Sequence, residues 1–234
     1  MKERKCTLPQ LGSGPTTNNS GSGYYTVDDY KEILTYANDR NIKVIPEFDM
    51  PGHARAAIVS MKERHRIYEL QRNSSFAENY LLHDPDDQSK YMSVQWFVDN
   101  AMNPCIDTTY NFIDHVVTEV KAMHAGIQDL EIFSFGGDEV AKGAWERSPK
   151  CIEFMNTNAG IKSISDIKEY FAGRVGDIVG NHGLDISAWE DGLMHGKNPF
   201  NLNSLVPNGR YVIYSFRHFT VKINSRYSIK MPNK

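Results

Sequence analysis

An apolar run from Leu130 to Phe135 ends on two glycines, Gly136-Gly137, and then on two adjacent carboxylates, Asp138-Glu139. The run reads as a buried strand, and the glycines let the backbone turn sharply or approach a ligand closely. A buried strand that delivers a Gly-Gly turn and an acidic pair adds little to a core, but it places acids well at the mouth of a pocket. Taken alone, such a pair is more often an ordinary strand-end turn with solvated acids. The rest of the chain shifts that balance.

Around this strand, helical and strand patterns alternate. Thr26 reads as an N-cap with Asp29 three positions on, and Tyr30, Ile33, Leu34 and Ala37 follow at helical spacing, so 27–40 is expected to be an amphipathic helix ended by Asn41. Ile42 to Phe48 is β-branched and predicts a strand, with Pro46 at its end because proline cannot donate to a ladder. The polar turn Asp49-Met50-Pro51-Gly52-His53 comes next, then a helix over 54–72. Residues 73–108 show no clear period and read as a long excursion on one side of the fold. A stripe of Phe112, Ile113, Val116, Val117, Val120 and Met123 predicts a helix over 109–124. After the acidic pair, 144–156 is expected to be helical and interrupted at Pro149. Ser165 reads as the cap of a helix reaching about Asn181, with Gly183 as its stop. Strands follow at 185–189, leading into Glu190-Asp191-Gly192, and at 211–216.

Helices alternating with about four strands imply a parallel sheet with helical crossovers. In parallel α/β folds and (β/α)8 barrels the C-terminal strand edge carries the site. Asp49 and His53, Asp138 and Glu139, and Trp189 and Asp191 all fall at or just beyond such ends, so they are expected to converge. Each also has a plainer reading: His53 as a satisfied surface residue, Trp189 as core, and Asp49 and Asp191 as braces of turns.

Composition bounds the partners. The chain has 234 residues and a formal net charge of -3, which gives no electrostatic case for nucleic acid or an anionic membrane. No apolar run is long enough to span a bilayer, and the charged start Met1 to Lys5 lacks the apolar segment of a signal peptide. The three cysteines, Cys6, Cys105 and Cys151, form no C-x-x-C or Cys/His zinc spacing, so either some are free or a partner lies outside the chain. No metal and no cofactor are expected.

A pair of carboxyls is the usual equipment for glycoside hydrolysis. The common versions hold the two groups ~5–9.5 Å apart, flanking the sugar. Asp138 and Glu139 have Cα atoms only ~3.8 Å apart and cannot easily bracket a ring from opposite faces. One acid can protonate the leaving oxygen. The other needs a different task, such as stabilising charge formed inside the substrate. That division points to substrate-assisted catalysis, in which a group on the sugar attacks the anomeric carbon.

Phe135-Gly136-Gly137-Asp138-Glu139-Val140 resembles the catalytic motif of glycoside hydrolase family 20, the β-N-acetylhexosaminidases. Ile45 to Arg55 resembles its second motif, and Ala188-Trp189-Glu190-Asp191-Gly192 its tryptophan-bearing strand end. The flanks Leu8-Pro9-Gln10, Gly23-Tyr24-Tyr25 and Asn103 to Asp107 are similar to the chitobiase branch. The resemblance covers roughly residues 6–216, and the tail 217–234 is unmatched. It implies hydrolysis of terminal β-linked N-acetylhexosamine, as in chitobiose or glycans. Glu139 would be the general acid and then the base. Asp138 would hold the acetamido group, and His53 would belong to a relay with Glu139. Trp189 would wall the acetamido pocket, and Asp191 and Asp49 would serve substrate binding. Glu139 should have its pKa raised by an apolar setting or by Asp138.

The resemblance also implies a partial (β/α)8 TIM barrel, strands three to six of eight. An arginine that grips sugar hydroxyls and an aspartate that partners the histidine belong to strands not seen here. After the last strand the family pattern Phe-Trp is replaced by Phe216-Arg217. A partial barrel leaves two sheet edges uncovered, so a partner chain to cover them is expected, or marginal stability without one. Two functions stay open at this point: an exo-acting hydrolase, or a non-catalytic chain that only binds sugar or a partner. The family is usually secreted, periplasmic or lysosomal, but the sequence itself names no compartment.

Overall fold

A computed structural model describes residues 23–195 and 198–200, and the backbone of 211–214. Cys6, the loop up to residue 22, Phe216 and the tail 217–234 lie outside the described residues.

The chain enters helix α1, Val27–Asn38, through the expected capping box: Thr26 Oγ accepts from Asp29 N at 3.1 Å, and Asp29 Oδ2 accepts from Thr26 N at 2.8 Å. Strand β1 is Glu47–Met50, later than the expected 42–48. Pro46 has no N–H to give, so it precedes the ladder instead of ending it, offering only its carbonyl to Ser134 N at 3.0 Å. The backbone before it is satisfied by a side chain, since Gln128 accepts from Val44 N at 2.7 Å and donates to Ile42 O at 2.8 Å. The β-branched pattern of 42–45 was real, but its hydrogen bonds go to an amide from a distant loop.

Helix α2, Arg55–Leu70, and the short α3, Ser74–Glu78, follow. An extended excursion then leads to helix α4, Asp107–His124, which buries Ile113, Val117 and Val120 as its stripe requires. Strand β2 is Ile132–Gly136. Pro149 does not interrupt a helix. It opens one: α5, Pro149–Thr157, starts at this proline, whose missing N–H has no partner to lose there, and Ser148 Oγ caps it. Helix α6, Ile164–Asn181, is capped by Ser163, not Ser165, because the Ser163 hydroxyl reaches Asp166 N at 3.2 Å. Strand β3, Asp185–Trp189, runs into a 3-10 turn, Glu190–Leu193. A small hairpin of β4, Met194–His195, and β5, Asn198–Pro199, precedes the last strand, β6, Tyr211–Tyr214.

The main sheet has the order β1-β2-β3-β6, with every pair parallel. Strands that follow one another across the sheet in chain order build the wall of a barrel. A doubly wound sheet would reverse at a switch point. Phe133, Phe135, Ile186 and Ala188 alternate onto the face that α4 and α6 cover, all at most 5% exposed. The opposite face carries a different row. Glu47 stands opposite Ser134, and Ser134 opposite Ser187. One step further along the strands come Asp49, Gly136 and Trp189. This polar face is the inner side of the curved wall. Among the described residues, β1 and β6 each keep one unpaired edge. Beside β1 a groove of about 480 Å³ is lined by Tyr25, Val27, Tyr30, Ile45 and Phe48, several of them exposed.

The excursion 73–106 is fastened to the segment after the acidic pair. Asn103 Nδ2 donates to Ser148 Oγ at 3.0 Å, and that hydroxyl donates to Asp84 Oδ2 at 2.7 Å, all three residues being buried. Burial works to raise the Asp84 carboxyl, but hydrogen bonds from Ser148, Lys150 N and Asp86 N outweigh it and hold it below its usual value. A Cys105–Cys151 disulfide joins the same two segments, so two of the three cysteines pair within the chain.

Candidate active site

Three loops at the C-terminal ends of β1, β2 and β3 meet. The first carries His53 (φ 52°) after Pro51-Gly52. The second turns through Gly136 (φ 66°) and Gly137 (φ 87°), the left-handed region that glycine enters without steric cost. Glycine is needed there for space too: a Cβ on Gly136 would strike the Asp49 carboxylate. The third loop packs Gly192 on the second, where a Cβ would sit 2.6 Å from the carbonyl carbon of Gly137. These close approaches bring the loops near enough for their side chains to share partners.

His53 Nε2 lies 3.4 Å from Glu139 Oε2 and 3.6 Å from Asp138 Oδ2. The two carboxylates therefore converge on one imidazole and do not face each other across a cleft. Glu139 N donates to Asp191 Oδ2 at 2.9 Å, which fixes the backbone of a residue held at φ 50°. Gln95, from the excursion, donates Nε2 to Glu139 Oε2 at 2.8 Å. Trp189 Nε1 donates to Glu47 Oε1 at 3.2 Å. All six residues expected from the sequence thus come to one edge. Two more join them that sequence reasoning did not single out, Glu47 and Gln95. Glu47 was hidden by the misplaced strand end: once Glu47–Met50 is the strand, Glu47 and Asp49 share a face by the period of two. Gln95 sits in a segment with no periodic signal.

Burial divides the acidic pair, and not as expected. The apolar setting anticipated for Glu139 falls on Asp138 instead: the Asp138 side chain is 11% exposed and that of Glu139 39%. Burial, then the like charges of Asp191 and Glu139, push the Asp138 carboxyl above its usual range against the opposing pull of its own backbone N–H and His53. Asp138 Oδ1 is buried and has no hydrogen-bond partner among the described residues. Asp49 is also raised, by desolvation first and then by the charges of Asp138 and Glu47.

A carboxyl whose folded pKa is raised adds stability below its unfolded value, and that stability is lost as pH climbs through the folded value. Asp49 and Asp138 thus weigh against the fold at neutral pH. Asp49→Asn is expected to match or exceed the parent's melting temperature at pH 7. The two should converge below the ordinary carboxylate value of 3.8. Melting curves at both pH values check this, and a lower melting temperature for the variant only at pH 7 would contradict it.

His53, Asp138 and Glu139 also offer donor atoms within 4.8 Å of one another, close enough for a metal ion to share them, although no metal was expected from the sequence. No described helix is long and apolar enough to cross a membrane.

Fold and site together define a partial (β/α)8 barrel with a carboxylate–histidine cluster at its C-terminal edge. A model of the glycosyl hydrolase family 20 catalytic domain matches residues 3–222, and the chain belongs to that family. It is 46% identical over 197 residues to a beta-hexosaminidase of Vibrio vulnificus, covering 83% of this chain and 23% of that protein. It is 39% identical over 226 residues to an N,N'-diacetylchitobiase of Vibrio harveyi, covering 83% and 25%. Among solved structures it resembles a GH20 exo beta-N-acetylglucosaminidase from Vibrio harveyi in complex with N-acetylglucosamine. That match has a TM-score of 0.66 at 28% identity, over 88% of this chain and 27% of that one. The chain spans about a quarter of the length of these relatives.

Proposed function

We propose that the protein containing this chain hydrolyses terminal, non-reducing β-linked N-acetylhexosamine residues with retention, the substrate's own acetamido group acting as the nucleophile. The observation that carries this reading is the asymmetry of the acidic pair: a buried Asp138 with an orphaned Oδ1, beside a more exposed Glu139 on the same imidazole. A buried carboxylate oxygen without a donor is costly unless something supplies one. An acetamido N–H does so.

The steps follow from that placement. Asp138 accepts the acetamido N–H and turns the carbonyl oxygen toward the anomeric carbon. That oxygen forms a bond to the carbon while the glycosidic C–O bond breaks, its electron pair going to the leaving oxygen. Glu139 gives this oxygen its proton. The resulting oxazolinium ion carries positive charge next to Asp138, where a fixed carboxylate lowers its energy. Water then attacks the same carbon, Glu139 takes its proton, and the five-membered ring reopens. Two inversions give net retention. His53 bridges both acids and supports the proton cycle of Glu139, and Asp191 fixes the Glu139 backbone. Trp189 offers a flat face to the sugar and its methyl group. Asp49, on the same inner face, serves sugar binding.

The test is a pair of chromogenic glycosides that differ only at carbon 2. Rapid hydrolysis of the N-acetyl-β-glucosaminide with none of the β-glucoside is expected. Equal rates on the two would sink the reading, and no turnover of either, with sugar binding retained, would favour a non-catalytic binding role.

A further inference from the structure

The geometry points to Glu47 as a positioning residue that sets the plane of the Trp189 indole, and through it the shape of the acetamido pocket. This rests on the function proposed above. An indole has one polar atom, Nε1–H, and two side-chain torsions. At this half-buried position on the inner wall, a hydrogen bond from Nε1 to Glu47 Oε1 at 3.2 Å favours one rotation of the ring. The acceptor is itself fixed, because Ser134 donates its hydroxyl to the other oxygen, Glu47 Oε2, at 2.6 Å. Both carboxylate oxygens are thus engaged by neighbours on the inner face.

The sheet explains why these residues meet. Glu47 and Ser134 are register partners on neighbouring strands, and Trp189 stands on the next strand, one inner-facing step beyond Ser187, the register partner of Ser134. The intervening inner-facing position on β2 is Gly136, which contributes no side chain. Glu47 therefore reaches across the middle strand to hold a residue of the third. Its charge also bears on the neighbouring Asp49 carboxyl, so the part it plays through Trp189 is the part that depends on the indole N–H.

A double-mutant cycle in the intact protein tests this. Glu47→Ala is expected to lower kcat/KM on an N-acetyl-β-glucosaminide roughly tenfold, the size of one hydrogen bond to a charged group. Glu47→Gln keeps an acceptor and should restore most of the loss. Trp189→Phe keeps an aromatic wall but removes the N–H. In that background Glu47→Ala should change kcat/KM by less than about twofold, the limit of additivity. An equal loss in both backgrounds would overturn the proposal. Should Glu47→Ala fail to fold, Trp189→Phe alone decides: it must lose about as much as the lost bond predicts, roughly tenfold, and full activity would refute the role. If the parent hydrolyses neither glycoside, the functional reading fails separately. The same cycle is then read on melting temperature, where absence of coupling between Glu47 and Trp189 removes the contact on which the inference stands.

Discussion

Glu139→Gln should lower kcat/KM by roughly 10²- to 10⁴-fold when the leaving group is a sugar, the range that general acid–base catalysis supplies. A sugar alkoxide leaves poorly without a proton, so the full loss appears on a disaccharide. A nitrophenolate leaves well unaided, and the same variant should lose far less in the first step on an aryl glycoside. The difference between the two substrates is the diagnostic, because general misfolding would depress both alike. The contacts of the side chain suit the proposed role. It is the more exposed of the acidic pair, it is held by Gln95 and His53 on Oε2, and its backbone N–H is fixed by Asp191. Glutamine retains the shape but has no proton to transfer. Measuring kcat/KM, which reports the steps up to release of the leaving group, on both substrates for parent and variant checks the assignment, and equal losses would count against it.

Asp138→Asn should cost roughly 10²- to 10³-fold in kcat, the scale on which one preorganised electrostatic contact to a transition state operates. The loss should be similar for sugar and aryl leaving groups, since in the proposed mechanism Asp138 serves the nucleophile and not the departing oxygen. Its effect on stability should have the opposite sign. Burial already raises the Asp138 carboxyl, so its ionised form is a burden on the fold at neutral pH, one that disappears as pH falls toward 3.8. Asparagine removes that burden, and the variant should melt no lower than the parent at pH 7. Lower activity with undiminished stability is the pattern of a residue kept for chemistry at some cost to the fold. An inactive variant that also melts much lower at pH 7 would assign Asp138 a structural role instead.

Much of this arrangement was legible in the sequence. The capping box at Thr26, the stripe of α4 and the strand ending on Gly136-Gly137 are local patterns, and local patterns carry their own physics. The convergence of His53, the acidic pair and Trp189 followed from a single topological rule about strand ends. Most of what failed to show depended on contacts distant in sequence. Residues 42–45 look like a strand but have their backbone groups taken by Gln128. Proline at 149 reads as a helix breaker until Ser148 is seen to cap a helix that begins there. The pairing of Cys105 with Cys151 needs the fold of an excursion without periodicity. Gln95 reaches Glu139 from that same excursion. The desolvated member of the acidic pair could not be told from two adjacent letters, because the direction of each side chain is set by glycine conformations and by Gly192 packed beneath the turn.

The central claim is that Asp138 and Glu139 act from one side, with the substrate's acetamido group as the nucleophile. The most direct measurement is the anomeric configuration of the first product, followed by proton NMR during hydrolysis of an N-acetyl-β-glucosaminide and before mutarotation. The account predicts that the β-anomer appears first and the α-anomer only later. Initial release of the α-anomer would mean a single inversion by water activated from the opposite face, which would contradict the division of labour assigned to the pair.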